Sequence, residues 1–333
     1  MIAEKMKEID GSLAEYFRLI ENEVNQLELN KHPKELYDPI DYILQLGGKR
    51  LRPILTLLAY NLYQADYPKI AKYALAVEVF HNFTLMHDDI MDQAPLRRGK
   101  ETVHEKWNNN IAILSGDVML VKAYELFIDL DPSKLQPVLK SFSECAAKVC
   151  EGQQIDMNFE TIDRVTEASY LEMIKLKTAV LLGFALELGA ILADASKEDQ
   201  HLLRLFGENV GIGFQLKDDL LDIYADQAKF GKQVGGDIIS NKKTFLLIKA
   251  LELAEGALAK ELNYWLKLEQ FDSSEKVAAI KTVYDQLQIK ALTVEKMDFY
   301  FQQGFDALGK VNLPEDKKAF LKQFAEQLID REK

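Results

Sequence analysis

Cysteine, turn-forming residues, long apolar runs and positive charge are all scarce in this sequence. Its 333 residues include 2 Cys, 8 Pro and 17 Gly. Two cysteines cannot make a disulfide framework. Cys145 and Cys150 are five apart, which on a helix points them away from each other, and they read as two buried thiols. So few turn formers over this length argue against an all-β sandwich. The most apolar stretch, residues 179–193, is interrupted by Glu187, short of the about 18 residues a membrane span needs. The first residues mix charges and lack the apolar core of a signal peptide, so a cytoplasmic protein without a membrane span is expected. Lys plus Arg number 41 against 53 Asp plus Glu, a net charge of −12, which argues against a nucleic-acid partner. There is no Walker A loop, no G-x-G-x-x-G fingerprint and no zinc-type Cys/His spacing.

What the chain does have is helical periodicity. Hydrophobic residues make up 48%, enough for a large core. Residues 4–29 repeat apolar positions at spacings of three and four, and residues 37–46 form a second such stretch that stops at Gly47-Gly48. Pro53 suits the first turn of a helix running to about residue 63. Residues 71–91 are apolar on most sides, as in a helix buried at the centre of a bundle. Further helices are expected over 110–128, from 132 to about 159, and over 167–193, 199–226 and 244–267 and beyond. Residues 229–243 are the one long polar, Gly-bearing loop. No linker or low-complexity tract divides residues 1–333, so a single all-α domain is predicted.

Two acidic motifs stand out. HDDIMD (residues 87–92) contains Asp88-Asp89-x-x-Asp92, and KDDLLD (residues 217–222) repeats it as Asp218-Asp219-x-x-Asp222. One D-D-x-x-D is expected about 0.07 times by chance in such a chain. Within each motif the first and last aspartates are i and i+4, on one helix face, where like charges repel unless a cation sits between them. All-oxygen ligands of this kind suit Mg²⁺, which takes one or two carboxylates plus phosphate oxygens. The flanking Leu, Met, Ile and Phe disfavour a merely solvated acidic face. His87-Asp88 also resembles the HD pair of a metal phosphohydrolase, but 5 His leave few further ligands for that class.

Two basic islands accompany the acid: GGKRLRP (residues 47–53) and PLRRGK (residues 95–100). Arg and Lys beside glycines at helix junctions suit phosphate capture. Lys232, Lys242 and Lys243 follow the second acidic motif. Acid pairs, cations and apolar helices together call for a ligand with a diphosphate head and a hydrocarbon tail.

GGKRLRP, HDDIMD, PLRRGKETVH, EGQQID, KLKT, GFQLKDDLLD and GKQVGGDIISNKKT, in that order, resemble the trans-isoprenyl diphosphate synthases, or polyprenyl synthetases. The resemblance runs from Gly47 to Thr244. It implies an all-α fold, a large helical bundle around a deep central cavity, assembled as a homodimer. It implies condensation of isopentenyl diphosphate with an allylic diphosphate (dimethylallyl, geranyl or farnesyl). Carried over by motif, Asp88 and Asp92 would bind two Mg²⁺ ions and Asp218 a third, three in all. Asp89, Asp219 and Asp222 would support them or act through water, with Asp222 counted among the metal ligands. Arg97, Lys177, Thr178, Gln215, Lys232 and Lys242 would hold the allylic diphosphate, with Lys243 the alternative to Lys242. Lys49, Arg52, His81 and Arg98 would hold isopentenyl diphosphate, with Arg50 nearby. Among these, Asp88, Asp89, Asp92, Arg97, Lys177, Asp218, Asp219 and Lys232 are the catalytic candidates.

The resemblance also bears on product length. Thr84, Phe83 and Phe80 lie one to three turns before Asp88, where they would set the floor for the growing chain. Family members with aromatics at both the fifth and fourth positions before the motif make fifteen-carbon products. Here only the fifth, Phe83, is aromatic, which resembles the geranylgeranyl type; farnesyl or longer products are the alternatives, and Phe83 as plain core is another. Two other readings remain. A class I terpene cyclase shares one D-D-x-x-D but has a mixed second metal motif. A non-catalytic synthase subunit would be expected to carry degraded aspartate motifs.

Overall fold

The structure, a computed structural model, describes residues 11–225 and 235–330. Nearly all of its regular structure is helix: α1 (Gly11–Gln26), α2 (Lys34–Gln45), α3 (Leu51–Asn61), α4 (Ala71–Met91), α5 (Val103–Lys106), α6 (Asn109–Glu125), α7 (Pro132–Thr161) and α8 (Glu167–Ile174), then α9 (Val180–Leu192), α10 (Lys197–Tyr224), α11 (Gly236–Ile239), α12 (Phe245–Leu253), α13 (Gly256–Lys267), α14 (Ser273–Gln286), α15 (Ile289–Lys310) and α16 (Glu315–Asp330). The all-α reading holds. The contacts gather into two compact units. One runs to Cys145 and adds Phe184–Arg204; the other is Ala146–Gly183 and everything from Leu205 on.

In the first unit, α4 packs against α1, α2, α3 and α6. Its Ala74, Leu75, Val77, Val79, Phe80 and Met86 are buried, so the helix lacks a polar face until its acidic end. The expected boundaries, 71 and 91, are the observed ones. Gly47 and Gly48 end the approach from α2 with φ of 76° and 146°, a region that favours glycine. Arg50 is left-handed too, at φ 50°, and Pro53 then sits in the first turn of α3. PLRRGKE forms a small hairpin, β1 (Leu96–Arg97) and β2 (Lys100–Glu101), whose loop residues Arg98 and Gly99 have φ of 54° and 76°. Two consecutive positive φ values match the strand twist of a two-residue hairpin.

The second unit centres on Leu220, Ile223, Leu246, Leu262, Ile280 and Tyr284, all buried. Three expectations are corrected. The helix predicted over 244–267 is two, α12 and α13, because Ala254 is extended and Gly256 is left-handed at φ 55°. The stretch predicted as one helix over 167–193 contains a π turn at Lys175–Ala179 between α8 and α9. Cys145 is buried as expected, but Cys150 is exposed, since five residues along α7 turn it well round the helix.

Candidate active site

α4 ends on the first aspartate motif, with Asp92 as its C-cap. The inner member, Asp89, is 2% exposed. It accepts a forked pair from the hairpin: Arg97 Nε at 2.9 Å from both carboxylate oxygens, and Arg97 Nη2 at 2.6 Å from Oδ1. This planar, charge-assisted contact fixes both side chains. Asp88 is half-buried and Asp92 exposed, so the i, i+4 pair lies on the more accessible side. Arg97, expected on a diphosphate, is directed at Asp89. His87 lies 3.1 Å from the Ile113 carbonyl through Nε2. Gly116 leaves room for that ring, since a Cβ there would meet Nε2 at 2.2 Å.

The two basic islands meet in this unit. Arg52 Nη1 lies 3.0 Å from His81 Nε2, and the Arg98 guanidinium rests against Gly48, where a Cβ would meet Nη2 at 2.8 Å. Burial pulls the His81 pKa well below its usual value, and Arg52, Arg98, Arg97 and Arg50 push it the same way. Burial also lowers Arg52 to about 10. The Arg52 Nε is buried and has no hydrogen-bond partner among the described residues. A neutral imidazole ringed by guanidinium groups is built to receive an anion. Arg50 is turned inward instead. It donates through Nε to Glu21 (2.7 Å), through Nη1 to Glu78 (2.8 Å) and through Nη2 to the Leu44 carbonyl (2.7 Å). Lys49, beside it, is exposed.

The second motif lies near the end of α10 in the other unit. Asp219 is 3% exposed and accepts from the Tyr170 hydroxyl and from Gln215 Nε2 (3.1 Å). Burial, with Asp237 nearby, pushes its carboxyl up to about 7 despite those hydrogen bonds. Asp218 is exposed and Asp222 half-buried. The Gly235 amide donates to the Asp222 carbonyl (2.6 Å) and the Asp237 amide to Asp222 Oδ2 (2.9 Å). Burial pushes Asp237 up to about 6; Lys242 pulls it down, while Asp222, Asp156 and Asp218 push it higher. Lys242 lies 3.9 Å from Asp237, whereas Lys243 donates to the Phe159 and Ile162 carbonyls at the end of α7. Lys242 is thus the lysine on the acidic side. Lys232 lies outside the described residues.

The π turn presents the remaining predicted residues. Lys177 donates to Asp156 (2.7 Å) and Thr178 to Gln215 Oε1 (3.3 Å). A π turn widens the helix by one residue and re-aims its side chains. Glycines on two neighbouring helices make space for it. At Gly152 of α7 a Cβ would meet the Lys177 amide nitrogen at 2.2 Å, and at Gly211 of α10 it would meet Ala179 Cα at 2.7 Å.

The chain-length candidates form a packed series. Phe80 is buried edge-on against Phe142 (5.2 Å between centroids) and lies 5.6 Å from Phe83. Phe83, 8% exposed, meets the His87 ring edge-on at 4.8 Å. Thr84 donates to the His81 carbonyl at 2.8 Å.

Residues 33–287 match the family model for polyprenyl synthetase. The chain belongs to the polyprenyl synthetase family. It is 37% identical over 311 residues to the geranylgeranyl diphosphate synthase of Methanosarcina mazei, covering 90% of this chain and 91% of that one. The crystal structure of geranylgeranyl pyrophosphate synthetase from Pyrococcus horikoshii superposes with a TM-score of 0.90 at 32% identity, over 98% of this chain and 99% of that one. Another crystal structure of a geranylgeranyl pyrophosphate synthase gives 0.89 at 45% identity, over 96% and 98%. As a polyprenyl synthetase the chain is a prenyltransferase, of a family that acts on isoprenoid diphosphates. No helix among the described residues is long and apolar enough to cross a membrane.

Two further groups serve the second motif of this polyprenyl synthetase, Tyr170 and Asp237. Tyr170 reads as core because it lies in an apolar helix; its hydroxyl on Asp219 has no sequence signature. Asp237 lies inside the quoted GGDIISNKKT string, and its place after a glycine pair was the available signal.

Proposed function

We propose that this chain catalyses head-to-tail condensation of isopentenyl diphosphate with allylic diphosphates, with geranylgeranyl diphosphate as the main product and residues 1–333 acting as one domain. The observation that supports it best is the shared layout of the motifs: in each, the second aspartate is buried and held by protein, and the outer pair is left on the accessible side. The relatives named for a twenty-carbon product support the product assignment.

The donor set fits Mg²⁺. Asp237 feels the charge of Asp222, Asp156 and Asp218, and Asp219 that of Asp237, so the donors are oxygen alone, as Mg²⁺ prefers, though among the described residues no three of them close into a metal-binding group. Asp88 and Asp92 would hold two Mg²⁺ ions, and Asp218, with Asp222, a third. When bound, Mg²⁺ neutralises charge on the diphosphate oxygens and so eases departure of that group. Lys177, Thr178, Gln215, Lys232 and Lys242 hold and orient the allylic diphosphate. Lys49, Arg52, neutral His81 and Arg98 hold isopentenyl diphosphate, with Arg50 fixing the loop from below. Asp89 and Arg97 brace the first motif. The allylic C–O bond breaks, the isopentenyl double bond attacks the allylic carbon, and a proton leaves, with the released diphosphate as the base. Apolar side chains keep water from the allylic cation.

The protein acts in the cytoplasm as a homodimer. An apolar stripe supports the dimer: Leu114 and Val121 on α6 and Ile128 just beyond it are exposed and seven residues apart. Product analysis of the pure protein with Mg²⁺, isopentenyl diphosphate and each allylic starter tests the reading. A twenty-carbon diphosphate is expected. Hydrocarbon from the allylic substrate alone would indicate a cyclase, and activity only with an added synthase would indicate a non-catalytic subunit.

A further inference from the structure

Lys276 of α14 is 0% exposed. A buried ammonium is unfavourable unless its donors are used. Its Nζ donates to the Ile239 carbonyl (3.2 Å) and to Asn241 Oδ1 (2.7 Å), and lies 4.1 Å from the centroid of the Phe271 ring. Among the described residues it makes no ion pair. Its polar contacts all fall on the short stretch of residues 236–242, made of α11 and the turn that leaves it. If stability alone were served, a well-packed apolar side chain would do as well or better.

That stretch carries Asp237 and Lys242. It is fastened on two sides. Toward the second aspartate motif, the Gly235 and Asp237 amides donate to Asp222, and the Lys242 amide donates to the Asp237 carbonyl (2.9 Å). Toward the core, Asn241 Nδ2 donates to the Leu266 carbonyl at the end of α13 (3.1 Å), and Lys276 takes Ile239 and Asn241. Val277, next to Lys276, fills the space beside Gly235, where a Cβ would meet its Cγ2 at 2.6 Å. Without Lys276 the core side of the stretch keeps only one of these polar ties.

We propose that Lys276 is a positioning residue for the condensation: its buried ammonium anchors Ile239 and Asn241 and so sets Asp237 and Lys242 against the second aspartate motif. This rests on the reading that the second motif serves the allylic diphosphate. Lys276 itself touches no reacting group. Its effect is on orientation, where misplacement of about 1 Å is enough to slow a reaction severely.

The test compares Lys276→Met, which keeps length and loses the donors, with Asn241→Ala, which removes the acceptor from the other side, and with the double variant. Each is assayed for kcat, for KM toward both substrates and for amide hydrogen exchange. The expected loss in kcat/KM for the allylic diphosphate is about ten-fold in either single variant, with no further loss in the double. The KM for isopentenyl diphosphate should stay within about two-fold. Faster exchange should be confined to residues 236–242. Unchanged kinetics in a folded variant, or equal losses for both substrates with faster exchange throughout, would overturn the proposal. If Lys276→Met does not fold, Asn241→Ala decides alone. If the unmodified protein condenses nothing, the proposed function fails, and the exchange measurement still reports whether Lys276 holds this stretch.

Discussion

Asp88-Asp89-x-x-Asp92 and Asp218-Asp219-x-x-Asp222 have the same pattern, yet the protein holds them by different means. The inner Asp89 is matched by a cation, Arg97, brought in by a hairpin that follows directly in sequence. The inner Asp219 is matched by neutral groups, Tyr170 and Gln215, and has another carboxylate, Asp237, close by. The first motif is therefore charge-balanced by protein alone at its inner position. The second gathers excess negative charge, and the cation that offsets it within the protein is Lys242. A shared motif specifies which helix face is acidic; the neighbours decide how much of that charge is left for a ligand.

The largest expected effect tests the outer positions. Asp88→Ala should lower turnover by about a thousand-fold, roughly 4 kcal/mol, with the fold intact by circular dichroism. Asp218→Ala should lose less, about ten- to a hundred-fold, because one ion rather than two is assigned to it. Steady-state kinetics across Mg²⁺ concentrations would check both. Normal turnover in Asp88→Ala removes the metal assignment, and a greater loss in Asp218→Ala reverses the ranking.

The inner positions should separate by stability. Arg97→Met leaves Asp89 buried without its cation, a loss of about 3–5 kcal/mol. Tyr170→Phe removes one hydrogen bond from Asp219 and leaves Gln215 in place, a loss of about 1–3 kcal/mol. Urea unfolding measures both. Equal losses would show that the ion pair is not what distinguishes the motifs.

Much of this was legible in sequence, for reasons that also mark where legibility stops. The ends of α4 are legible because its apolar pattern and acidic terminus are local features. The i, i+4 aspartates were readable from helix geometry alone. The π turn at Lys175–Ala179 was not, since its cause lies in Gly152 and Gly211, distant in sequence and close in space. Arg50 and Arg52 sit two apart in one basic string; only packing turns Arg50 onto Glu78 and leaves Arg52 beside His81. Tyr170 was hidden for the same reason, because partnership with Asp219 is a tertiary fact.

Neighbouring lysines extend the contrast to the segment after the second motif. Lys242→Met should lower kcat/KM for the allylic diphosphate by about ten-fold, since it removes a cation from the acidic cluster. Lys243→Met should leave kinetics within about two-fold and lower stability by about 1 kcal/mol, because its donors go to carbonyls ending α7. The reverse pattern would return the diphosphate contact to Lys243.

The smallest effect on rate, and the most specific on product, comes from the turns before each motif. Before the second, Gly211 and Gly213 serve close packing: a Cβ at Gly213 would meet the Phe301 ring at 2.5 Å. Before the first, the positions matching Gly211 and Gly213 are His81 and Phe83, and Phe80 lies one residue further back. Phe80 is wedged against Phe142, so Phe80→Ala should cost about 3–5 kcal/mol of stability and report mainly on the core. Phe83 lies nearer the motif and retains a little exposure between Phe80 and His87. Its removal opens space on the side where a growing chain would press. Phe83→Ala should therefore shift the product toward longer chains, read by chromatography of the dephosphorylated alcohols, with turnover changed by no more than about two-fold. An unchanged product spectrum would leave Phe83 as core packing and move the floor of the chain elsewhere on α4.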